Sequence, residues 1–510
     1  MKLVSNKRAC TTLLLSFPLY PAVAVAQSDE RPNVVLLYAD DIGYGDLSCN
    51  GAEAIHTPNV DRLAAMGIRF TDGHSAAATS TPSRYSLLTG EYAWRRSDTN
   101  IAAGDAASII RPDQYTLADL FQAAGYATGV VGKWHLGLGA KAGQQDWNAL
   151  VTPGPTELGF DYSYIMAATG DRTPCVWMEN QRVVNGDPND PISVSYTANF
   201  PGEPSGHENP ELLTKLKPSH GHDMSVVNGC SRIGWMKGGE KARWVDENIA
   251  DSITAHGLAF IEAHKASPFF LMFATNDVHV PRMPHPRFVG KSGMGARGDA
   301  LLQFDWCVGQ VLDKLEQEGL MENTLIILSS DNGPVIDDGY RDKAYELLGD
   351  HRPAAHLRGS KYSSYEAGTR VPLLVSWPGR VAQGVVSEAL VSQTDLFASL
   401  ASLVGVALPE GAAKDSDDHL AAFIGSDPRG RDYFIGQNLF NTLSIVQDGW
   451  KYIEPSNSPT IISSHSDTGS APFVRLYDLN TDIAETRNLA KLYPEKVEQL
   501  QSLLEEIKAH

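Results

Sequence analysis

The sequence predicts an α/β fold: a large, mostly parallel sheet flanked by helices, with a smaller α+β subdomain at the C-terminus. Three observations predict it. Runs of β-branched and aromatic apolar residues recur along the chain and are almost continuous, as in strands buried on both faces. Helical patterns alternate with these runs, the order of a parallel α/β sheet. Charged and amide residues collect where several runs end, and open parallel sheets bind ligands beyond the carboxyl ends of their strands.

The elements follow in order. Residues 1–26 read as a signal peptide, with a basic start at Lys2, Lys7 and Arg8, an apolar run from Thr11 to Val25, and an A-x-A site at Ala24 to Ala26. Pro18 and Pro21 interrupt the run, which is too short to span a bilayer. Cys10 lacks the small-residue context of lipid attachment. An exported protein, periplasmic or secreted, with no membrane span in the mature chain is expected.

The large α/β domain is assigned to 27–426. Its strands are "NVVLLYADD", "YATGVVGKWH", "PFFLMFATNDVH", "NTLIILSSDNG" and "VPLLVSWPG". Between them, "TPNVDRLAAMG" reads as a helix with Pro58 early and Gly67 at its end. "YTLADLFQAAG" opens with Thr116 and Asp119 in capping-box spacing and stops at Gly125. "DALLQFDWCVGQVLDKLEQEG" is a longer helix. Residues of about 145–235 are rich in Pro, Gly, Asn and His and read as a loop-rich insertion. From 427 onward "RDYFIGQ", "LSIVQDGWKYI" and "FVRLYDL" read as short antiparallel strands, and "YPEKVEQLQSLLEEIKA" as a closing amphipathic helix.

The net charge of −19 becomes more negative once the basic leader is removed, which excludes nucleic acid as a partner. An anionic substrate is not excluded, because a local cation cluster outweighs the global field at contact distance. Cys49, Cys175, Cys230 and Cys307 form no CxxC pair and no disulfide framework.

Four strands end in chemically loaded residues: Asp40 and Asp41; Lys133 and His135; Asn276, Asp277 and His279; Asp331 and Asn332. Either Asp/Asn pair alone is open to turn formation. Both pairs at parallel strand ends point to a hard cation, Ca²⁺ or Mg²⁺. Lys133 and His135 alternate along an extended segment and face one side. His279 is a candidate proton donor or acceptor. Lys361, in "LRGSKYSSYEAGTRVPLLV", reads by itself as a solvated surface charge. In "SAAATSTPSRYSLLTG", Thr81 followed by Pro82 is a helix-start signal and Gly90 a stop. Ser80 then lies just before a helix N-terminus, where anions are stabilised. A capped helix alone gives no use for Arg84.

With these residues in place the chain resembles a type I, formylglycine-dependent sulfatase of the alkaline-phosphatase-like superfamily, in its serine version. The maturation motif is met by Ser80, Thr81, Pro82, Ser83 and Arg84, with Thr89 and Gly90. "PNVVLLYADDIGYGDL", "GYATGVVGKWHLG", "DNGP", "LRGSKYSSYEAGTRVPLLVSWPG" and "LYDLNTDIAETRNLA" match further family segments. The resemblance implies that a maturase oxidises Ser80 to formylglycine, whose hydrate attacks sulfur and later releases sulfate as the aldehyde reforms. It implies that Asp40, Asp41, Asp331 and Asn332 bind Ca²⁺ and that Arg84 orients the hydrate. It makes Lys133 and Lys361 sulfate clamps, His135 a base and His279 the acid for the leaving alcohol. It is similar to bacterial carbohydrate sulfatases, with galactose-type units of a glycan or polysaccharide as the implied substrate. Asp171, Arg172, His220 and His222 are candidate sugar contacts, and Trp177 or Trp235 candidate stacking platforms. Two other functions fit parts of the pattern: a phosphomonoester or phosphonate hydrolase of the same superfamily, and a non-catalytic glycan-binding relative.

Overall fold

The computed structural model describes residues 31–510, which form one compact unit. The signal-peptide expectation lies outside the described residues. Ten strands make the central sheet: β1 Asn33–Ala39, β2 Gly67–Phe70, β3 Ala127–Lys133, β4 Tyr162–Met166, β5 Trp177–Glu179, β6 Arg182–Val183, β7 Phe269–Ala274, β8 Thr324–Ser330, β9 Leu373–Ser376 and β10 Val385–Ser387. Their spatial order is β10-β2-β9-β8-β1-β7-β3-β4-β5-β6. The middle of the sheet, β8-β1-β7-β3-β4, is entirely parallel. β1 is paired on both sides, Val34 facing Phe270 on one and Leu325 on the other. Every residue of β1, β7 and β8 is buried, which is why these runs are apolar without alternation.

Two parts of the sheet depart from the sequence expectation. "VPLLVSWPG" forms β9 but runs antiparallel to both β8 and β2. The segment 145–235 is not wholly peripheral: β4 extends the parallel core and β5 and β6 continue it antiparallel. The rest of that segment is turns, two-stranded ribbons and two short 3-10 helices, Pro155–Leu158 and Pro210–Leu212.

Helices cover the faces: α1 Pro58–Ala65, α2 Ser80–Thr89, α3 Leu117–Ala123, α4 Ile249–His264 and α5 Gly295–Gln317. Helix α3 has the expected capping box, with Thr116 Oγ1 accepting from Asp119 N at 3.1 Å and Asp119 Oδ2 accepting from Thr116 N at 2.9 Å. Gly67 does not end α1; Met66 is the cap and Gly67 begins β2, where a Cβ would lie 2.1 Å from Val375 O.

The C-terminal part is the expected antiparallel sheet, Tyr433–Gln437, Leu443–Gln447, Trp450–Ile453 and Arg475–Asp478, with the closing helix Pro494–Ala509. Ile435, Leu443, Ile445, Tyr452, Leu476, Leu500 and Leu504 share an apolar cluster that also takes in Ala76 and Tyr92, from either side of α2. Ala78 N donates to Gln437 O at 2.8 Å, so this sheet's edge strand grips the chain two residues before Ser80.

Candidate active site

Adjacent parallel strands β8, β1, β7 and β3 all deliver their loaded ends to one edge, so the four polar clusters converge. Asn332 Nδ2 donates to Asp41 Oδ1 at 2.7 Å, and Asp41 N donates to Asp331 Oδ1 at 3.3 Å. Asp40, Asp41, Asp331 and Asn332 are fully buried.

Ser80 approaches this edge from α2. The helix begins at Ser80 itself and its N-cap is Thr79, without a side-chain cap bond. This corrects the expected cap at Thr81. Thr81 Oγ1 is instead committed to the tertiary structure: it donates to His135 O at 3.0 Å and accepts from Ala102 N at 3.1 Å. Ser80 therefore sits in the first turn, at the positive end of the helix. Gly90 ends the helix as expected, in the left-handed region at φ 64°.

Ser80 Oγ lies 3.3 Å from Asn332 Oδ1 and accepts from Lys133 Nζ at 2.9 Å. Lys133 Nζ also meets Asp40 Oδ1 at 2.6 Å. Arg84 does not fold onto Ser80. Its Nε and Nη2 hold Asp331 Oδ2 at 3.1 and 2.8 Å, and Nη1 holds Lys133 O at 3.1 Å. Lys361 is buried rather than solvated, with Nζ 2.9 Å from Asp41 Oδ2 and 2.8 Å from Asp338 Oδ2.

His135 does not alternate with Lys133 along a strand. β3 ends at Lys133, and His135 turns back with φ 57°. Its Nε2 lies 3.1 Å from Ala102 O, the geometry of an N–H donating to a carbonyl. Its Nδ1 is buried with no hydrogen-bond partner. Burial, with Lys133 and Arg172 nearby, holds the imidazole well below its ordinary pKa, so it is neutral. His279 Nδ1 contacts Val280 O at 2.8 Å, and Nε2 faces Asp41 Oδ2 at 3.9 Å. Burial and Lys361 bring its pKa down to about 4.

The acidic group carries strong opposing fields. Burial raises Asp40, with Lys133 opposing and Asp331 and Asp41 reinforcing. Asp331 is also buried, yet Lys133 and Arg84 more than offset that cost and hold its carboxyl low. Asp40 Oδ2 is buried without a hydrogen-bond partner. Asp40, Asp41 and His279 present ligand atoms within 4.8 Å of one another. Three carboxylates, one with an orphaned buried oxygen, and an amide oxygen are a donor set that suits a hard divalent cation.

A cavity of about 350 Å³ opens over this edge, lined in part by Ser80, His135, His279 and Lys361. The loop-rich segment supplies Asp171, Arg172 and His222 to its wall. His222 Nε2 meets Asp171 Oδ2 at 2.8 Å, and Arg172 Nη1 meets Asp171 Oδ1 at 3.0 Å. Gly339 makes this possible: at φ 117°, a Cβ there would lie 2.0 Å from the His222 ring. His220 does not line the cavity; its Nδ1 pairs with Ser219 Oγ at 3.0 Å. The tryptophans do not line it either. Trp177 is buried and stacks on Tyr164 at 4.7 Å, and Trp235 is in a two-stranded ribbon. Sequence reasoning missed Asp338 and Tyr362, which line the wall beside Lys361. Their signal was weak: "DNGPVIDD" places an acid six residues beyond Asn332, and Tyr362 directly follows Lys361.

The family described as Sulfatase matches residues 32–406, most of the chain. The N-acetylgalactosamine-6-O-sulfatase of Bacteroides thetaiotaomicron is 51% identical over 504 residues, covering 96% of this chain and 98% of that protein. This chain belongs to the sulfatase family. Human arylsulfatase A is 32% identical, covering 92% of this sulfatase and 87% of its own length. A solved structure from work on glycosaminoglycan metabolism by Bacteroides thetaiotaomicron, labelled a 6S-sulfatase, superimposes with a TM-score of 0.93 at 52% identity, covering 94% of this chain and all of that one. This sulfatase is thus an enzyme, a sulfuric ester hydrolase. No helix among its described residues is long and apolar enough to cross a membrane.

Proposed function

We propose that this sulfatase removes the 6-O-sulfate from N-acetylgalactosamine-type units of sulfated glycans, with Ser80 matured to formylglycine and Ca²⁺ at the strand ends. The observation that carries the proposal is the shared cavity: the Ser80 edge and the polar wall of Asp171, Arg172 and His222 line one space. The near-full-length similarity to an N-acetylgalactosamine-6-O-sulfatase supports the same substrate class.

Asp40, Asp41, Asp331 and Asn332 would hold the ion, which offsets charge on the sulfate oxygens and acidifies the attacking hydroxyl. Maturation removes two hydrogens from Ser80 and supplies a hydrated aldehyde, a better-equipped nucleophile than a serine hydroxyl. Lys133 and Lys361 clamp the sulfate oxygens. Arg84 fixes Asp331 and the carbonyl of Lys133, and so the frame around Ser80. His279 donates a proton through Nε2 to the departing sugar oxygen as the sulfur–oxygen bond breaks. It needs the second proton for this, which a sulfate ester anion beside Nε2 favours. His135, neutral with an unpaired Nδ1, takes the proton released at position 80 when sulfate leaves. His222, Asp171 and Arg172 take the sugar hydroxyls. Residues 1–26 direct export, and the maturase acting on Ser80 is a required partner.

Two measurements test this. Peptide mass analysis of protein from its native host should show residue 80 lighter by two hydrogens. Rates on N-acetylgalactosamine 6-sulfate should exceed those on the 4-sulfate and on aryl phosphate; dominant phosphate turnover overturns the sulfatase mechanism, and preference for the 4-sulfate overturns the assigned position.

A further inference from the structure

We propose that Asp338 and Tyr362 are positioning residues that aim the Lys361 ammonium at the substrate's sulfate. The inference rests on the sulfate-clamp role given to Lys361 above.

Lysine is a long, flexible carrier of a point charge, so a clamp built on it needs external anchors. Lys361 Nζ has two anchors, Asp41 Oδ2 at 2.9 Å and Asp338 Oδ2 at 2.8 Å. An ammonium has three donors, and the third remains for an oxygen in the cavity that Lys361 lines. Of the two anchors, Asp41 belongs to the group suited to a cation, while Asp338 does not. Asp338 is therefore the anchor dedicated to the lysine. Its other oxygen, Oδ1, accepts from Tyr362 Oη at 2.9 Å, so each carboxylate oxygen has its own donor and the group cannot rotate freely.

The backbone shows what this arrangement requires. Lys361 and Tyr362 are consecutive residues of a turn and reach the same carboxylate. Tyr362 achieves this with φ 78°, a left-handed conformation unusual for a bulky residue and costly unless its surroundings hold it. They do hold it. Tyr362 N donates to Ala78 O at 2.7 Å, two residues before Ser80, and Lys361 N donates to Pro334 O at 2.8 Å, two residues after Asn332. The segment is tied to the nucleophile's chain on one side and to the strand-end loop on the other. The ring also lies 5.2 Å from Nζ, within cation–π range. A strained, half-buried tyrosine at the cavity wall, with its hydroxyl spent on the lysine's partner, has the geometry of an aiming device.

The test is a double-mutant cycle on the matured enzyme, read as kcat/KM and as the inhibition constant for inorganic sulfate. Asp338→Asn should weaken sulfate inhibition and lower kcat/KM by about tenfold, the scale of one hydrogen bond to a charged group. In a Lys361→Ala background the same change should alter both by less than about twofold, because positioning acts only through the lysine. Tyr362→Phe should give a smaller loss, about threefold, that also vanishes without Lys361. If Asp338→Asn does not fold, Tyr362→Phe decides the question. Full additivity with Lys361→Ala, or parental sulfate affinity in both single variants, overturns the inference while leaving the clamp role intact. Unchanged sulfate inhibition in Lys361→Ala overturns the clamp role and the inference together.

Discussion

At the residue scale, the site is a set of side chains that the surrounding structure has stripped of alternatives. His135 has one nitrogen tied to Ala102 O and the other left bare, and Lys133 is held between Ser80, Asp40 and Asp331. His279 offers a sharp kinetic prediction. His279→Ala should slow sugar sulfates, whose leaving groups need a proton, by roughly 10²–10⁴-fold, and activated aryl sulfates much less. Equal losses on both would falsify the acid role and make His279 a sulfate-binding residue. Ser80 to Arg84 were legible in the sequence because they are five consecutive positions. His222, Asp171 and Arg172 were legible as polar groups, but their shared contact was not. His220, two residues from His222, does not line the cavity and instead pairs with Ser219 Oγ, an orientation that no sequence pattern encodes.

At the element scale, strand identity was easy to read, and helix starts were legible where the cap is local, as at the Thr116–Asp119 box of α3. β1, β7 and β8 are buried on both faces, so their composition is their signature. Helix α1 starts at Pro58 as read, but the partners of its first amides are not local. Its N-cap, Thr57, spends its hydroxyl on Ser48, and the first amides are satisfied from another helix: Asn59 N and Val60 N both donate to Asp305 Oδ1 at 2.9 Å. The cap comes from a residue 246 positions away, outside any local signal. Asp305→Ala should therefore destabilise the protein by about 1–2 kcal/mol, the cost of a lost cap, seen as a lower unfolding midpoint with catalytic constants unchanged at low temperature. The antiparallel direction of β9 was likewise invisible, because a strand's composition reports burial and not direction.

At the scale of the whole molecule, distant segments are joined by buried charges. Lys451 of the C-terminal sheet pairs with Glu366 at 2.9 Å and Glu485 at 3.1 Å, next to the chain that carries Lys361. Removing one partner of such a group leaves uncompensated buried charge, so Lys451→Ala should cost about 3–5 kcal/mol and lower activity by loosening residues 360–370, measurable by denaturant unfolding. A chain ending at residue 426 should lose activity altogether, since Gln437 holds Ala78. Asp46 plays the same part beneath β1. It accepts from both terminal nitrogens of Arg297 and from His351 Nε2 at 2.8 Å. Burial alone would raise its carboxyl, but Arg297 and His351 bring it down to about 2 from 3.8. A lowered folded-state pKa means the stabilisation is complete above the unfolded value and is lost as pH falls toward 2. Acid unfolding of Asp46→Asn should accordingly show a flatter dependence between about pH 4 and 2. By itself the sequence determined the α/β class, the strands and the residues that end them, because burial on two faces dictates composition and a contiguous motif keeps its order. Only the tertiary structure decided which of those residues touch, which nitrogen of His135 is bare, and that Asp338 and Tyr362 stand beside Lys361. Those are distances between segments far apart in the chain, set by how the strands pack side by side.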